Sequence, residues 1–331
     1  MEATAPINLA NLIKYMWEEH KPDFEKRLNS WANALNCGKD VSALAKKEFH
    51  QWHPLRTYIS VSKAKSDSRA IYSLRFYGQE VAQLIVKDKK VILQLKGHEE
   101  KNKKWFGVKT KDDDYTWRGK DAKAFRARFK EVARKPNELR IKSPEHRVES
   151  KFIAEMQKGA DKFGVAGLQI QPVMIANKFP LQILLPISAN TGVPKTGTGY
   201  IDILARRKTK DNKVRLSVWE LKRPEEFKEA TAQAYIYAFT LLQILRESKS
   251  KNEWYKLFGF KSAIPNKLVI EAVVAITSNQ RKIYLEKKEA LMHNAPSVIG
   301  NDRIELYVAY YREQDNSIKL EENPFVKKPC V

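Results

Sequence analysis

The chain has 331 residues, enough for one large domain or two of ordinary size. Its hydrophobic content of 43% excludes wholesale disorder, and its net charge of +22 comes from 61 basic and 39 acidic residues. No stretch approaches the ~18 apolar residues of a membrane-spanning helix, and the first residues lack the pattern of a signal peptide. Cys37 and Cys330 form neither a metal-ligand spacing nor a disulfide framework, so we expect a cytoplasmic protein.

The positive charge is concentrated before the middle of the chain. Residues 51–150 carry 25 basic and 13 acidic residues, which is more than half of the net charge. Such clustering indicates a polyanionic partner, although a generally lysine-rich composition is an alternative explanation. Strands are predicted in this region at 56–62, 70–77, 80–86 and 90–96. A basic helix is predicted after them, at 119–134.

The N-terminal region is expected to form a smaller domain of its own. Residues 7–36 predict two helices that are broken near Pro22. Lys135-Pro136-Asn137 is the candidate linker, which divides the chain into a basic α+β domain, 1–140, and a second domain, 141–331. We expect the first domain to contribute nucleic-acid binding or recognition, because its aromatic residues could stack on bases; core packing of these aromatics is the alternative.

The second domain begins with a helix that carries a misplaced acid. Ser143 and Pro144 provide an N-cap and a first helical residue. On a helical wheel, Glu149 falls within the apolar sector that holds Phe152 and Met156. A carboxylate there needs a reason, which is a functional site, a buried salt bridge or partial exposure of the side chain to solvent.

Two segments lead from this helix to the next charged strand. The apolar runs 168–176 and 179–187 predict the first strand hairpin of the core sheet, and 188–199 predicts a flexible loop. Lys195 in this loop could touch a nucleic-acid backbone. The glycines of the loop lack the Gly-Lys-Ser/Thr order of a phosphate-binding turn, so nucleotide binding is not expected.

Residues 199–222 carry the chemistry of the chain. Two strand-like segments flank a polar turn at 208–213, and a hairpin centred on Asp211 sets Asp202 opposite Glu220. Because residues two apart in a strand share a face, Glu220 and Lys222 point the same way. Two carboxylates on an otherwise apolar sheet need a partner, and a divalent cation such as Mg²⁺ is the simplest one.

The pattern that follows the hairpin is helical. A long helix is predicted from Glu225 to about Glu247, in which Gln233 and Tyr237 share a face. The near-continuous apolar run 267–277 is typical of an interior strand that is covered on both faces. Residues 303–312 and 317–321 predict a terminal hairpin.

The Asp strand, the Glu-Leu-Lys strand and the Gln-x-x-x-Tyr helix resemble the PD-(D/E)XK nuclease superfamily and, through the last feature, its RecB-like branch. The likeness covers roughly residues 141–312 and is strongest over 199–222, although Ile201 replaces the proline of the family pattern. The resemblance implies an α/β restriction-endonuclease-like core, a mixed central sheet flanked by helices, and a metal-dependent DNA endonuclease. It also makes RNA a less expected substrate than DNA, and it leaves a homodimer possible, with restriction, phage defence or repair as settings.

The resemblance also implies roles for individual residues. Asp202, Glu220 and the Leu221 carbonyl would hold Mg²⁺, for which Mn²⁺ could substitute, and Glu149 would hold a second metal or its water. Lys222 would assist the attacking water, while Gln233 and Tyr237 would support the site and Arg223 would touch a phosphate. Two alternatives stay open: a structural ion-pair network of these residues, and a non-catalytic nucleic-acid-binding protein on a nuclease-like core.

Overall fold

The structure is a computed structural model, and it describes most but not all of the chain. The described residues are 8–48, 55–62, 68–76, 78–87, 90–95, 114–116, 123, 127, 131, 144–158, 165, 168–175, 179–221, 227–282, 295–314 and 317–326. Lys222, Arg223 and the predicted linker at 135–137 lie outside these ranges. Among the described residues, no helix is both long enough and apolar enough to cross a membrane.

The described part of the chain is a mixed α/β structure with four α-helices. In chain order its elements are α1 (Leu9–Glu48), β1 (Leu55–Val61), β2 (Ala70–Phe76), β3 (Gln79–Lys87), β4 (Lys90–Leu95), β5 (Asp114–Thr116), α2 (Pro144–Lys158), β6 (Gln169–Pro172), β7 (Met174–Ile175), β8 (Phe179–Pro180), β9 (Leu184–Ser188), β10 (Lys195–Tyr200), β11 (Ile203–Lys208), β12 (Val214–Leu221), α3 (Phe227–Glu247), α4 (Lys251–Leu257), β13 (Val269–Thr277), a 3₁₀ turn (Ser278–Gln280), β14 (Val298–Ile299), β15 (Asp302–Gln314) and β16 (Ser317–Leu320).

Helix α1 runs through Pro22 without a break, so the prediction of two helices is wrong. Proline costs the helix one hydrogen bond, the one that the Glu18 carbonyl would accept. Buried residues on both sides of Pro22, among them Trp17 and Phe24, belong to one hydrophobic core. Continuous burial of this face therefore outweighs the lost hydrogen bond.

The first sheet is antiparallel and has the strand order β1-β2-β3-β4-β5. Its first four strands confirm the strands predicted from the sequence. Gly78 supplies the turn between β2 and β3 with a φ of +82°, a conformation that favours glycine. Inward residues of β1 and β2, such as Ile59 and Leu74, join the core that α1 covers.

The central sheet has the strand order β14-β15-β13-β12-β11-β6, with β16 also paired to β15. Strand β11 is antiparallel to β6 and β12, whereas β12, β13 and β15 run parallel. Helix α3 packs on β12 and β13, and α2 packs against β6, β12 and β16. Each face of the sheet has its own buried cluster, so β13 is an interior strand covered on both sides, as predicted.

The segment before β11 differs from its prediction. The apolar runs 168–176 and 179–187 do not form one hairpin of the core sheet: only β6 joins that sheet, while β7 pairs with β8. Strand β9 pairs instead with β10, so much of the predicted flexible loop 188–199 is a strand. Hairpin pairing satisfies the backbone groups of these residues, which their glycine and threonine content does not reveal.

The proposed division at residue 140 stays a prediction. Buried residues of α1 and of the first sheet belong to the same hydrophobic cluster as those of α3, β9 and the adjoining face of the central sheet. Arg27 of α1 reinforces this contact, because its guanidinium donates hydrogen bonds to the Gly197 carbonyl at 3.0 Å and to Thr198 Oγ1 at 3.1 Å. The N-terminal elements therefore pack directly on the segment that leads to Asp202.

Candidate active site

The hairpin of β11 and β12 has the predicted register. Ile203 pairs with Trp219 and Lys208 with Val214, so the ladder, continued by one residue, sets Asp202 beside Glu220. Asn212 takes a φ of 62° in the connecting turn. The two acids consequently lie at the end of β12 that faces the start of α3, the edge of an open α/β sheet where ligands bind.

Alternation along β12 directs its side chains to opposite faces of the sheet. Trp219 and Leu221 join the cluster beneath α2, whereas Val218 joins the cluster beneath α3. Glu220 shares the parity of Val218, so it points toward α3, and its exposed fraction is 1%. The Trp219 indole donates to Ser217 Oγ at 3.0 Å, which fixes the strand on the other face.

Asp202 is tied to the end of the neighbouring strand. Its Oδ2 accepts a hydrogen bond of 2.8 Å from the Leu221 backbone N–H. This contact brings the Leu221 main chain to the Asp202 carboxylate, as expected if both belong to one site.

Glu149 is buried on α2, as its position in the apolar sector predicted, with an exposed fraction of 4%. Its Oε1 lies 3.6 Å from Arg75 Nη1, and its Oε2 lies 3.9 Å from His146 Nδ1. Burial raises the pKa of Glu149 to about 8, with Asp202 adding to the rise and Arg75 opposing it. Glu149 is therefore a deeply buried acid that contacts Arg75 and His146, and Asp202 acts on it electrostatically.

Tyr237 and Gln233 approach the site from α3. Tyr237 is fully buried; its hydroxyl accepts from the Ala189 N–H at 3.3 Å and donates to Asn190 Oδ1 at 3.2 Å. Burial raises the pKa of Tyr237 to about 12, and Glu220 contributes to that rise. Gln233 is also buried, and its Oε1 lies away from solvent and has no hydrogen-bond partner in the part of the chain that the structure describes.

Gly199 sets how closely these elements approach. A Cβ at this position would lie 2.2 Å from the Ile187 carbonyl oxygen and 2.7 Å from Tyr237 Cε1. Only glycine leaves room for β10 to pass between β9 and the tyrosine ring. The hairpin before Asp202 is therefore held against α3 by direct packing.

The remaining predicted residues are placed differently. Lys195 is exposed at the start of β10, opposite Ser188, so its proposed contact with a nucleic-acid backbone stays a prediction. Lys222 and Arg223 lie outside the described residues, so their positions stay predictions.

The side chains around Asp202 and Glu220 can be compared with the ligands that a divalent cation requires. Within the described ranges, no three His, Cys, Asp or Glu side chains are grouped closely enough to form a metal site as they stand. The chemistry of Asp202, Glu220 and Glu149 nevertheless suits Mg²⁺, which prefers hard oxygen ligands. Glu149 Oε1 is a buried oxygen that accepts no hydrogen bond from the described residues, which is an oxygen that a cation could take as a ligand.

Sequence reasoning missed Arg75. This residue lies on β2 of the first sheet, and its side chain contacts Glu149. No local pattern marks it, because the contact joins β2 to a helix about seventy residues later. Comparison with known proteins adds no residues: no family model, no curated protein and no solved structure matches this chain.

Proposed function

We propose that the chain is a Mg²⁺-dependent nuclease that hydrolyses DNA phosphodiester bonds on a PD-(D/E)XK-type core. The observation that carries the proposal is the register of β11 and β12, which sets Asp202 beside Glu220 at the end of the strand. The Asp202 carboxylate also accepts a hydrogen bond from Leu221, the middle residue of the Glu-Leu-Lys sequence. A structural ion pair does not require this alignment.

The order of the elements supports the same proposal. Helix α2, the antiparallel strands β6, β11 and β12, helix α3 and the parallel strand β13 occur in this order along the chain around a mixed sheet, with β7–β10 inserted after β6 and α4 after α3. This is the succession expected of a restriction-endonuclease-like core. Fold alone does not define chemistry, so the proposal depends on the acids at the strand end.

The residues would divide the work as follows. Asp202, Glu220 and the Leu221 carbonyl hold the Mg²⁺ ion, and Glu149 orients its bound water or holds a second ion. When bound, Mg²⁺ or Mn²⁺ supplies charge that polarises the scissile phosphate and lowers the pKa of water. Lys222 orients or deprotonates the attacking water and offsets charge that develops on the phosphate.

The outer residues would keep this arrangement in place. Tyr237 anchors the segment at Ala189 and Asn190, so that β10 delivers Asp202 at a fixed position. Gln233 offers its buried Oε1 to the Lys222 ammonium or to a water. Arg223 and Lys195 would contact the DNA backbone.

The charge of the chain supports DNA as the substrate. A net charge of +22 favours a polyanion, and neutralising phosphates makes such binding strongly dependent on salt. A cytoplasmic location and a homodimer that cuts both strands belong to the same proposal. The N-terminal elements would then add contacts to DNA.

The test is cleavage of supercoiled plasmid, linear duplex, single-stranded DNA and RNA in Mg²⁺, Mn²⁺ or EDTA. Wild type is compared with Lys222→Ala and Asp202→Asn. Lys288→Ala is the matched control, because Glu286-Lys287-Lys288 is a second Glu-x-Lys sequence that lies outside the Asp202–Lys222 pattern. We expect metal-dependent cutting that falls at least ~100-fold in the first two variants and not in the control.

Two results would contradict the proposal. An inactive wild type that binds DNA tightly and in a salt-sensitive way would favour the non-catalytic nucleic-acid-binding alternative. Equal activity of Lys222→Ala and Lys288→Ala would show that the cutting comes from elsewhere.

A further inference from the structure

Arg75 is a buried arginine that belongs to the first sheet and not to the central one. It lies on β2 with an exposed fraction of 7%, and its Nη1 is 3.6 Å from Glu149 Oε1. Neither of these two atoms makes a hydrogen bond with a described residue, and both are shielded from solvent. The contact between Arg75 Nη1 and Glu149 Oε1 is therefore electrostatic and is not a hydrogen bond.

The guanidinium is held in a fixed orientation by three other contacts. Its Nε donates to Ser73 Oγ at 3.1 Å, its Nη2 donates to Gln182 Oε1, and its plane lies 4.6 Å from the centre of the Tyr58 ring. An arginine constrained at this many points acts as a rigid support and not as a mobile surface charge.

The neighbouring turn is docked on the same helix. A Cβ at Gly78 would lie 1.8 Å from the carbonyl oxygen of His146, so the β2–β3 turn packs directly against the first turn of α2. His146 precedes Glu149 by three residues, which is about one helical turn. Two independent contacts of this hairpin, one polar and one steric, thus fix the helix at the position that carries the acid.

We propose that Arg75 is a positioning residue, which orients the Glu149 carboxylate toward Asp202 and makes the first sheet part of the catalytic unit. The inference rests on the proposed nuclease function and extends it to residues outside the core that resembles a nuclease. Partners that orient the ligands of a metal site typically change metal affinity or activity by about 10–100-fold when they are removed. Arg75 acts through Glu149 and is not itself a ligand.

The chain offers a matched control for Arg75. Arg56 lies directly opposite it on β1, is 8% exposed and has Tyr58 and Glu155 as its electrostatic neighbours. Arg56→Gln therefore removes the same charge from the same sheet at the same burial. A loss of fold stability or of general DNA attraction would affect both variants alike.

The experiment measures the Kd for Mn²⁺ by calorimetry and the Mn²⁺ concentration for half-maximal DNA cleavage, on the full chain. We expect Arg75→Gln to raise both by at least about tenfold, and Arg56→Gln to raise them by less than about threefold. In a Glu149→Gln background, Arg75→Gln should change the Mn²⁺ Kd by less than about threefold, because its effect passes through the missing carboxylate.

A milder variant covers the case in which Arg75→Gln does not fold. Gln182→Ala removes the acceptor of Arg75 Nη2 and leaves the buried charge in place, so its Mn²⁺ Kd should rise by about threefold or more. Equal increases of the Mn²⁺ Kd in Arg75→Gln and Arg56→Gln would overturn the inference. It would also be overturned if Arg75→Gln raised this Kd as much in the Glu149→Gln background as in wild type. A wild-type chain that binds no Mn²⁺ and cuts no DNA would overturn the proposed function itself. This result is distinct from one that overturns only the role of Arg75.

Discussion

Replacing Glu149 with glutamine should remove a large part of the pH dependence of folding. Burial raises the pKa of Glu149 from 4.5 to about 8 in the folded chain, with Asp202 contributing and Arg75 opposing. Because the folded pKa lies above the unfolded one, the folded state binds this proton more tightly. The stabilisation that follows is complete below pH 4.5 and is lost as the pH rises through about 8.

The size of the effect follows from the shift. At about 1.36 kcal/mol per pKa unit, wild type should lose about 4 kcal/mol of stability through this group between pH 5 and pH 9. Glu149→Gln has no proton to lose there, and its buried Arg75 lacks a charge partner at every pH. The difference between the free energies of unfolding of the two proteins therefore reports the titration of Glu149, whereas either free energy alone includes the titration of other groups.

The assay is urea unfolding of both proteins at pH 5, 7 and 9 in EDTA, followed by circular dichroism. The free energy of unfolding of wild type should fall relative to that of Glu149→Gln as the pH rises. Parallel curves for the two proteins would refute the reasoning, because they would show that Glu149 keeps an ordinary pKa in the folded chain.

Three further predictions concern the packing and the metal. Gly199→Ala should destabilise the chain by about 1–3 kcal/mol in urea, because its methyl group meets the Ile187 carbonyl and the Tyr237 ring; an unchanged midpoint would mean that β10 shifts freely. Trp219→Ala should cost about 3–5 kcal/mol, since the ring is fully buried, and a smaller loss would question its place in the core. Mg²⁺ at about 100 times its Kd should stabilise wild type by about 2.7 kcal/mol in thermal unfolding but not Asp202→Asn, and equal shifts would place the ion elsewhere.

The sequence was informative where structure is local. Turn residues around Asp211 and strands of similar length on either side allow few registers, so a hairpin centred on Asp211 could be derived before the fold was known. The observed ladder, from Ile203 opposite Trp219 to Lys208 opposite Val214, confirms this centre. The helix that starts at Pro144 and the interior strand β13 were predicted for similar reasons. Each carries its signal within about ten residues.

Errors arose where distant packing decides the outcome. Pro22 was expected to end a helix, but burial of Trp17 and Phe24 in one core keeps α1 continuous. Glycine and threonine between 195 and 200 indicated a loop, but pairing with β9 makes this segment a strand. Arg75 could not have been found, because nothing in the sequence near β2 specifies that α2 will lie against it.

A second buried charge cluster on the central sheet provides a comparison for the candidate site. Glu271 accepts hydrogen bonds from Arg207 Nε at 3.0 and 2.9 Å, one to each carboxylate oxygen, and its Oε1 also lies 3.5 Å from Arg215 Nη1. Glu305 accepts from Arg215 at 2.6 Å and from the Tyr307 hydroxyl at 2.8 Å. The two acids and the two arginines bind one another here. In a purely structural network, such ion pairs and hydrogen bonds offset the free-energy cost of removing the charges from water.

Glu149 is buried as deeply but is not satisfied in the same way. Its contact with Arg75 is an ion pair at 3.6 Å in which Oε1 accepts no hydrogen bond, whereas both oxygens of Glu271 do. Asp202 raises the pKa of Glu149 further, so an additional positive charge at this point would stabilise the ionised carboxylate. The metal site proposed above would provide that charge, because a divalent cation would take the buried oxygen as a ligand, whereas the network around Glu271 has no need of one.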